Sequence, residues 1–494
     1  MSYNVLADPQ IGMHNHSEFS NLRLLDSTNK FEKMIDYVAN TLGQQGFALT
    51  DHECLSGHLK YLTTAKEMKA KGKIPETFKP ILGNEIYLVE EQEYTTALEN
   101  KERISFYHFI LIALDDIGHA QLRELSTRAW DRMINYRGMQ RVPTYMSDIE
   151  EIIGSNQGHI VGSTACLGGK LGQSILREEY DNAWTFVEWC QDVFGKDNFF
   201  LEMQPHDEFG HDEFGNLVEH EQRIVNEFIQ GMGIPTIITT DAHYLKKEDR
   251  GLHEAYLKSD EDEEASKSGG RETGDFYATA YFMGVNELRE RLSYLDSEFF
   301  NDCIRNSWEI KERVKGYDGL FKNQVIPEIP LPPKDEWFWS DEIMDFVEEH
   351  DYISILDLID SDNDYNKYLV CRCFQGLSEK VPYEQWDEAL TRFDLEMSEL
   401  LGISEAKDAV ISSYFITMQK FIDIIWEEAN SLVGVSRGSG AGWITNYLMG
   451  ITQINPLHQP AEMPHWRFIT AQRVDYPEQY WGCGGEPTNV GCVA

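Results

Sequence analysis

The first half of the chain alternates short, continuous apolar runs with stretches whose apolar residues recur at helical spacing. Continuous apolar runs are typical of strands buried on both faces, and strands separated by helices favour a parallel sheet. The runs cover residues 11–13, 46–50, 81 with 86–88, 109–113, 159–162, 199–202 and 236–240, and the first two helical stretches cover 31–42 and 57–71. About seven such strands in one domain predict an α/β fold whose sheet curls into a barrel.

The second half has a different pattern. Residues 259–270 (SDEDEEASKSGG) are acidic and lack periodicity, which indicates a linker or loop. Residues 285–314 are predicted to be helical, and the proline-rich residues 325–334 predict an extended connection. Four helices are then predicted, over 341–350, 366–380, 383–401 and 409–428. The barrel is therefore expected to be followed by a mostly helical region.

Composition restricts the setting of this protein. No stretch of 18 apolar residues is present, and the first ten residues lack a basic segment followed by an apolar run, so neither a membrane span nor a signal peptide is predicted. The eight cysteines follow no disulfide spacing, which favours the cytoplasm. The net charge of −41 argues against tight, unaided binding to nucleic acid, but it suits carboxylates that recruit divalent cations.

Side chains that bind metals stand beside the apolar runs. His14 and His16 share one face of an extended segment, because alternate side chains of a strand point the same way. The other candidates are Asp26, Asp51, His52, Glu85, His108, Cys166, Asp241 and His243. One such pair is a weak signal, since histidines often serve only the fold. Recurrence at strand after strand favours a multinuclear metal site that activates water and clamps a phosphate.

A second group of histidines and aspartates lies between residues 206 and 220, in HDEFGHDEFGNLVEH. Its Phe-Gly and Gly-Asn punctuation is typical of a hairpin or loop. We therefore interpret this group as a solvated loop rather than as a second site.

A glycine-rich turn lies near the end of the chain. Residues 432–442 (LVGVSRGSGAG) precede residues 443–448 (WITNYL), which predicts a strand, a turn and a helix. Glycines allow a ligand to approach the backbone, Ser439 offers a hydroxyl, and Arg437 can pair with phosphate oxygens. Close helix packing explains the same glycines equally well.

Several motifs of the first half resemble one family. MHNHSEFS, ALTDHE, ILGNEIYL, YHFILIA, STACLGGKL, FLEMQPH and TTDAHYL follow one another as in the PHP domain at the start of bacterial DNA polymerase III alpha subunits. The resemblance implies a distorted (β/α)7 barrel, a 3′–5′ exonuclease or phosphoesterase activity, and divalent metals such as Zn, Mn or Fe. The implied metal ligands are His14, His16, Asp26, His52, Glu85, His108, Cys166, Asp241 and His243.

The second half is similar to the palm of the same subunits, a nucleotidyltransferase fold like that of polymerase beta. The motifs are SSYFITMQKFIDII, VSRGSGAG, YLMGITQINPL and HWRFITAQRVDYP. The resemblance implies that Arg437, Gly438 and Ser439 hold the triphosphate of the incoming nucleotide. It also implies Mg for polymerisation, and as partners primer–template DNA, dNTPs, a sliding clamp and other replisome proteins.

The chain departs from the family after Pro477. The family has an Asp-x-Asp pair there, whereas Glu478-Gln479-Tyr480 follows here, and two-metal phosphoryl transfer needs bridging carboxylates. We therefore expect no catalytic residues for polymerisation in this chain. Our hypothesis is an interrupted gene of phage origin, in which an intron or similar insertion lies at the catalytic motif and the tail is read-through. The alternative is a split polymerase that a downstream polypeptide completes in the host cytoplasm.

The predicted organisation is a PHP domain over 1–258, an acidic link over 259–284, the first part of an incomplete palm over 285–477, and an unrelated tail over 478–494. Three functions follow. The first is the N-terminal part of a replicative polymerase that synthesises DNA once completed. The second is a stand-alone PHP phosphoesterase. The third is a non-catalytic assembly module of a split polymerase.

Overall fold

The computed structural model describes residues 10–136, 139–206, 209–211, 217–259, 275–321, 326–436, 438–458 and 463–472. The chain forms two compact units, Met1–Lys322 and Asn323–Ala494. The predicted tail 478–494 and residues 260–274 of the predicted linker lie outside the described residues.

The first unit contains the sheet. Its strands are β1 (Gly46–Leu49), β2 (Lys79–Val89), β3 (Tyr107–Ala113), β4 (Ile134–Tyr136), β5 (Met139–Arg141), β6 (Pro143–Tyr145), β7 (Ile160–Ser163), β8 (Phe199–Met203), β9 (Phe209–His211), β10 (Leu217–Glu219) and β11 (Thr236–Ile238). The main sheet runs β1-β2-β3-β7-β8-β11, with β6 paired to β2. It curls in the manner of a half-barrel, so the predicted α/β barrel class is confirmed. The segment 206–220 contains the hairpin β9–β10, in agreement with a hairpin or loop, but His206 is buried and stacks on His220 with ring centroids 5.3 Å apart, so this histidine is not solvated.

Helices cover this sheet and form most of the second unit. They are α1 (Phe31–Asp36), α2 (His58–Ala70), α3 (Glu91–Asn100), α4 (Asp116–Asp131), α5 (Met146–Ile149), α6 (Lys170–Leu176), α7 (Tyr180–Phe194), α8 (Glu221–Met232), α9 (Arg250–Lys258), α10 (Val285–Arg291), α11 (Ser297–Arg313), α12 (Asp341–Glu349), α13 (Ile353–Asp360), α14 (Asp364–Lys380), α15 (Trp386–Lys407), α16 (Ser412–Glu427) and α17 (Ile444–Leu448). Within the described ranges, none of these helices is long and apolar enough to cross a membrane.

Strand β3 runs against its neighbours. It pairs antiparallel with both β2 and β7, whereas β1–β2, β7–β8 and β8–β11 are parallel pairs. The apolar run predicts this strand but not its direction, because a strand buried on both faces has the same pattern either way. As a result, the beginning of β3 lies at the edge where the other strands end.

The first predicted strand does not form as a continuous strand. In place of a strand over residues 11–13, isolated parallel bridges join Gly12 to Phe47 and Asn15 to Ala242. The Asn15 side chain donates hydrogen bonds to the carbonyls of Gly12 and Ala48, at 3.1 and 3.0 Å. The segment therefore lies between β1 and the residues after β11, and closes that side of the sheet.

The domain boundary differs from the prediction. We assigned residues 285–477 to one palm region, but α10 and α11 belong to the first unit, which extends to Lys322. Leu288, Ile304 and Ile310 are buried in the same apolar core as the sheet. The stretch predicted to be helical over 285–314 consists of two helices, and the Asp296 carboxylate caps the second, α11, by accepting from the amide of Glu298 at 2.9 Å.

A buried histidine pair beneath the sheet gives a pH prediction. His58 donates from Nε2 to the Gly83 carbonyl at 2.9 Å, and its Nδ1 lies 3.0 Å from Nε2 of His119. Burial, with the neighbouring His119 ring, lowers the pKa of His58 to about 3. Below pH ~6.5 the unfolded chain takes up a proton that folded His58 does not, so the free energy of unfolding falls by about 1.4 kcal/mol per pH unit from this residue.

The variant His58→Gln keeps a donor for Gly83 but cannot titrate. We expect its free energy of unfolding to fall less steeply between pH 6 and 4.5 than that of the unchanged protein. Urea unfolding of both proteins over this range measures the two slopes. Equal slopes would show that His58 takes up its proton in the folded state as readily as in the unfolded chain.

The second unit has its own apolar core, in which helices α14 and α17 touch. A Cβ at Gly376 would lie 1.9 Å from the carbonyl oxygen of Leu448, so alanine forces the two helices apart. We expect Gly376→Ala to lower the free energy of unfolding by about 1–3 kcal/mol. Urea denaturation checks this. Gly231→Ala in α8 is the matched control: a Cβ there meets open space, and we expect no loss of stability.

Candidate functional site

The structure brings the nine predicted side chains into one buried cluster at the edge of the barrel sheet. Backbone bridges hold the segments together: Asn15 with Ala242, His52 with Glu85, and His108 with Gly169. Because β3 is reversed, His108 at its beginning reaches the edge where the parallel strands end. The clustered side chains are those of His14, His16, Asp26, His52, Glu85, His108, Cys166, Asp241 and His243.

Glu85 lies at the centre of the cluster. Its Oε2 is 2.6 Å from Nδ1 of His52, 3.3 Å from Nε2 of His16 and 3.7 Å from Nε2 of His14. Its Oε1 is 2.5 Å from Nδ1 of His108. One carboxylate therefore faces four imidazoles, so a cation held by these rings would also contact Glu85.

Two aspartates flank this centre. Oδ1 of Asp241 lies 3.0 Å from Nε2 of His16 and 3.2 Å from Nε2 of His14. On the other side, Oδ2 of Asp26 lies 3.0 Å from Nε2 of His52 and 3.5 Å from Nε2 of His243. Asp26, which follows the loop after His16, is therefore placed beside the histidines.

The outer nitrogens of three histidines have partners that fix the tautomer. Nδ1 of His14 donates to Glu202 at 2.7 Å, and Nδ1 of His243 donates to the Asp241 carbonyl at 2.7 Å. Nδ1 of His16 donates to the Ser20 hydroxyl at 2.9 Å, and that hydroxyl donates to Asp51 at 2.8 Å. When these rings are neutral, Nε2 keeps the lone pair, and it faces into the cluster.

Three residues that lie behind the histidines have roles that the sequence does not predict. Asp51 was a candidate ligand, but its carboxylate instead accepts from the backbone and hydroxyl of Ser17, at 2.6 and 2.8 Å, and from Ser20. Ser20 gave no signal in the sequence. Glu202 did give one, as the lone charged residue of an apolar strand.

The cluster fits divalent cations. Several of its buried atoms crowd against one another, yet among the described residues none of them makes a hydrogen bond of proper geometry: Nε2 of His14 and His16, Oδ1 of Asp26 and Asp241, and both oxygens of Glu85. Leaving so many buried acceptors unsatisfied is costly unless a cation binds them. Three groups have the spacing to hold an ion: His16 with His52 and His243, His14 with His16 and Glu85, and Glu85 with His108 and Cys166.

The pKa values indicate that ionised carboxylates in the cluster face protonated histidines. Burial opposes ionisation of Glu85, but His108 and His52 hold its pKa well below the ordinary value. Burial also opposes protonation of His52, yet Asp26 and Glu85 raise its pKa well above the ordinary value. Burial raises the pKa of Cys166 strongly, so its thiolate needs a nearby cation.

The glycine-rich turn of the second unit is described only in part. Arg437 lies outside the described residues. Gly438–Gly442 forms a tight turn in which Gly438 has φ +69°, where glycine is favoured. The predicted strand over 432–435 is wrong: these residues form no strand pairing, and Leu432 and Val435 are exposed.

The helix after this turn has its first amides occupied. The Glu396 carboxylate accepts from the backbone amides of Ile444 and Thr445, at 2.7 and 2.9 Å, and from the Thr445 hydroxyl at 2.7 Å. Those amides, which would otherwise attract a phosphate, are satisfied from within the protein. A triphosphate would therefore have to be held by the turn around Gly438 and Ser439 instead.

The fold and the cluster define the class: a curled α/β barrel whose edge carries a histidine, carboxylate and thiolate centre. Residues 12–206 match the PHP domain, and residues 367–479 match the bacterial DNA polymerase III alpha NTPase domain. The chain thus contains a PHP domain followed by a DNA polymerase III alpha NTPase domain. The resemblance seen in its motifs is confirmed.

Individual relatives agree with these matches. The DNA-directed DNA polymerase of Bacillus phage SPbeta is 36% identical, across 95% of this chain and 36% of that protein, and a Bacillus subtilis relative matches equally well. The DNA polymerase III subunit alpha of Borreliella burgdorferi is 26% identical, across 95% of this chain and 34% of that protein. The chain spans about a third of the length of these curated relatives.

Proposed function

We propose that the first unit is a metal-dependent phosphodiesterase that removes nucleotides from the 3′ end of DNA. The observation that carries this is the set of buried nitrogen and oxygen atoms that crowd around Glu85 without forming hydrogen bonds of proper geometry among the described residues. A purely structural cluster would satisfy its own donors and acceptors, as buried polar groups generally do. The match to the PHP domain supports the same assignment.

The nine residues of the cluster would hold the ions. Glu85 would be shared between two of the three groups, and Cys166 with His108 would complete the outermost one. Divalent ions there would stabilise the negative charge that builds up on a phosphodiester attacked by water. We propose that these divalent ions are Zn, Mn or Fe.

The residues of the chain would control access and orientation. The His108 side chain is 27% exposed, whereas those of Glu85 and His14 are almost fully buried. A phosphodiester would therefore approach from the side of His108, where its ring stacks on Tyr87 with centroids 4.8 Å apart. The deeper histidines, held by Glu202 and by Ser20, would keep the ions in place as the substrate binds and leaves.

The whole chain, on this proposal, is the N-terminal part of a replicative DNA polymerase III alpha-type subunit acting in the cytoplasm. The support is the order of the two matched domains and the similarity to the phage and bacterial polymerases. Polymerisation would need the Asp-x-Asp carboxylates, Mg, dNTPs and primer–template DNA, with a further polypeptide supplying the carboxylates. Gly438 and Ser439, with Arg437, would contribute to the triphosphate site.

A nuclease assay tests the first part of this proposal. We expect the purified chain to release 3′ nucleotides from single-stranded DNA, to lose this activity after chelation, and to regain it with Zn or Mn. Asp241→Asn should abolish the release, because Asp241 faces both His14 and His16. Released mononucleotides, separated by gel or chromatography, give the rate.

The control is Asp318→Asn, a change in a short surface turn of the same unit, which should leave the rate unchanged. Nucleotide release that persists in Asp241→Asn would indicate a contaminating nuclease. A metal-free protein of unchanged stability and no activity would favour the assembly module. Polymerisation restored by adding a polypeptide that carries the Asp-x-Asp segment would select the polymerase over the stand-alone phosphoesterase.

A further inference from the structure

Glu202 lies on β8 directly beneath the metal-ligand cluster and is 2% exposed. Its Oε1 accepts from Nδ1 of His14 at 2.7 Å, from the Thr239 hydroxyl at 2.6 Å and from the Gln204 amide at 3.2 Å. Its Oε2 accepts from the Ser163 hydroxyl at 2.5 Å. Both oxygens are therefore satisfied, and neither faces the centre of the cluster.

The partners of Glu202 differ in kind. Three of them are uncharged groups that hold the carboxylate in place, and the fourth is the imidazole of His14. Among the described residues, His14 is the ion-pair partner of Glu202. A buried carboxylate without a lysine or arginine is costly, so a carboxylate retained here is expected to act on the ring it contacts.

The contrast with His16 makes the role of Glu202 more specific. His16 reaches its carboxylate, Asp51, only through the hydroxyl of Ser20, whereas His14 contacts Glu202 directly. A direct, charge-assisted hydrogen bond is stronger than one through a neutral hydroxyl, and it transfers more electron density to the ring. His14 should therefore be the more strongly donating of the two histidines.

We propose that Glu202 is the positioning residue of the metal centre: by accepting the Nδ1 proton of His14 it fixes the tautomer and orientation of that ring and strengthens its Nε2 as a ligand. This inference rests on the proposed function, because it requires that the cluster binds divalent ions. A carboxylate that holds the outer nitrogen of a ligating histidine commonly contributes about 10–100-fold to metal affinity.

The test compares Zn²⁺ binding by the full chain with that of Glu202→Gln. Glutamine keeps the shape and still accepts from His14, but it lacks the negative charge. We expect Glu202→Gln to bind Zn²⁺ about tenfold or more weakly, near the lower end of the range for such partners. Metal-free Glu202→Gln should still be folded, as judged by its urea unfolding curve. The exposed Glu67→Gln is the matched control and should bind as the unchanged protein does.

A spectroscopic measurement separates positioning from mere support of the fold. In protein labelled with ¹⁵N-histidine, the Nδ1 proton of His14 should resonate downfield in the unchanged protein and move upfield in Glu202→Gln. A residue that serves only the fold would shift the unfolding curve and leave both the Zn²⁺ affinity and this resonance unaltered, and that result would overturn the proposal.

A second variant covers the case in which Glu202→Gln does not fold. Ser163→Ala removes one donor from the oxygen of Glu202 that faces away from His14, and a smaller loss of Zn²⁺ affinity in the same direction is expected. Unchanged affinity in Ser163→Ala would then count against the proposal. If the unchanged protein binds no Zn²⁺ or Mn²⁺ at all, the proposed function itself fails. Tight binding by both the unchanged protein and Glu202→Gln refutes only the role of Glu202.

Discussion

Glu85→Gln is expected to lose divalent-metal binding at concentrations that saturate the unchanged protein. The reason is the position of Glu85, whose two oxygens face His14, His16, His52 and His108. An amide nitrogen in place of either oxygen would direct its hydrogens at the ions. The loss should therefore exceed the roughly 10–100-fold effect of outer partners. Metal content after dialysis, measured by mass spectrometry, and titration with Zn²⁺ give the result.

Two comparisons make this prediction specific. Glu67→Gln, on the exposed face of α2, should bind metal as the unchanged protein does. Asp26→Asn should weaken binding less than Glu85→Gln, because among the described residues Asp26 faces two histidines, His52 and His243, whereas Glu85 faces four. Equal losses in Asp26→Asn and Glu85→Gln would mean that the ions bind independently of a shared carboxylate.

The second large effect is expected from Glu396→Gln in the second unit. Glu396 is fully buried and receives hydrogen bonds from Arg392, Ile444 and Thr445. Burial raises the pKa of Glu396 to about 7, so its carboxyl group is ionised at pH 8.5. Its Oε1 then forms an ion pair with Nε of Arg392, 2.9 Å away. Glutamine leaves this arginine without its anion and turns an NH2 group toward backbone donors. We expect a loss of about 3–5 kcal/mol.

Urea unfolding at pH 8.5 measures this loss, with the exposed Glu348→Gln on α12 as the control. The Trp443 ring, stacked on Phe415 at 5.6 Å in the core that Glu396 helps to build, is the natural fluorescence probe. A change below about 1 kcal/mol would mean that the turn and α17 are held chiefly by apolar packing.

The sequence was a good guide where one physical signal dominates. The helices predicted over 341–350, 366–380, 383–401 and 409–428 appear as α12, α14, α15 and α16, with ends within a few residues for most of them. The apolar runs likewise mark β1, β3, β7, β8 and β11. Apolar content alone, however, does not give the direction of a strand, and β3 is reversed.

Contacts between distant parts of the chain determine the features that the sequence patterns do not predict. Helices α10 and α11 follow an acidic stretch, which suggests a new domain, yet their apolar faces complete the core of the first unit. In the glycine-rich segment, the apolar residues 432–435 have the composition of a strand, but strand formation requires a partner to pair with. No local pattern contains that information.

The candidate site shows the same division. Ligand types recurring beside strands indicate the residues that cluster around Glu85, while the roles of the residues behind them do not follow from the sequence. Ser20 is an ordinary serine in a polar loop, and Asp51 resembles a ligand because it precedes His52. Their roles depend on which side of the backbone each side chain faces, and this is fixed by the bridges that join His52 to Glu85 and Asn15 to Ala242.

The bridge between Asn15 and Ala242 also has a consequence for synthesis on the ribosome. His14 and His16 emerge early, whereas Asp241 and His243 follow after more than two hundred further residues. At ~5–20 residues per second, the two ends of the cluster are separated by on the order of 10–45 s. A nascent chain therefore exposes its first histidines long before their partners exist. We therefore expect the nascent chain to bind cations only after Asp241 and His243 have been synthesised and have joined the first histidines in the folded barrel.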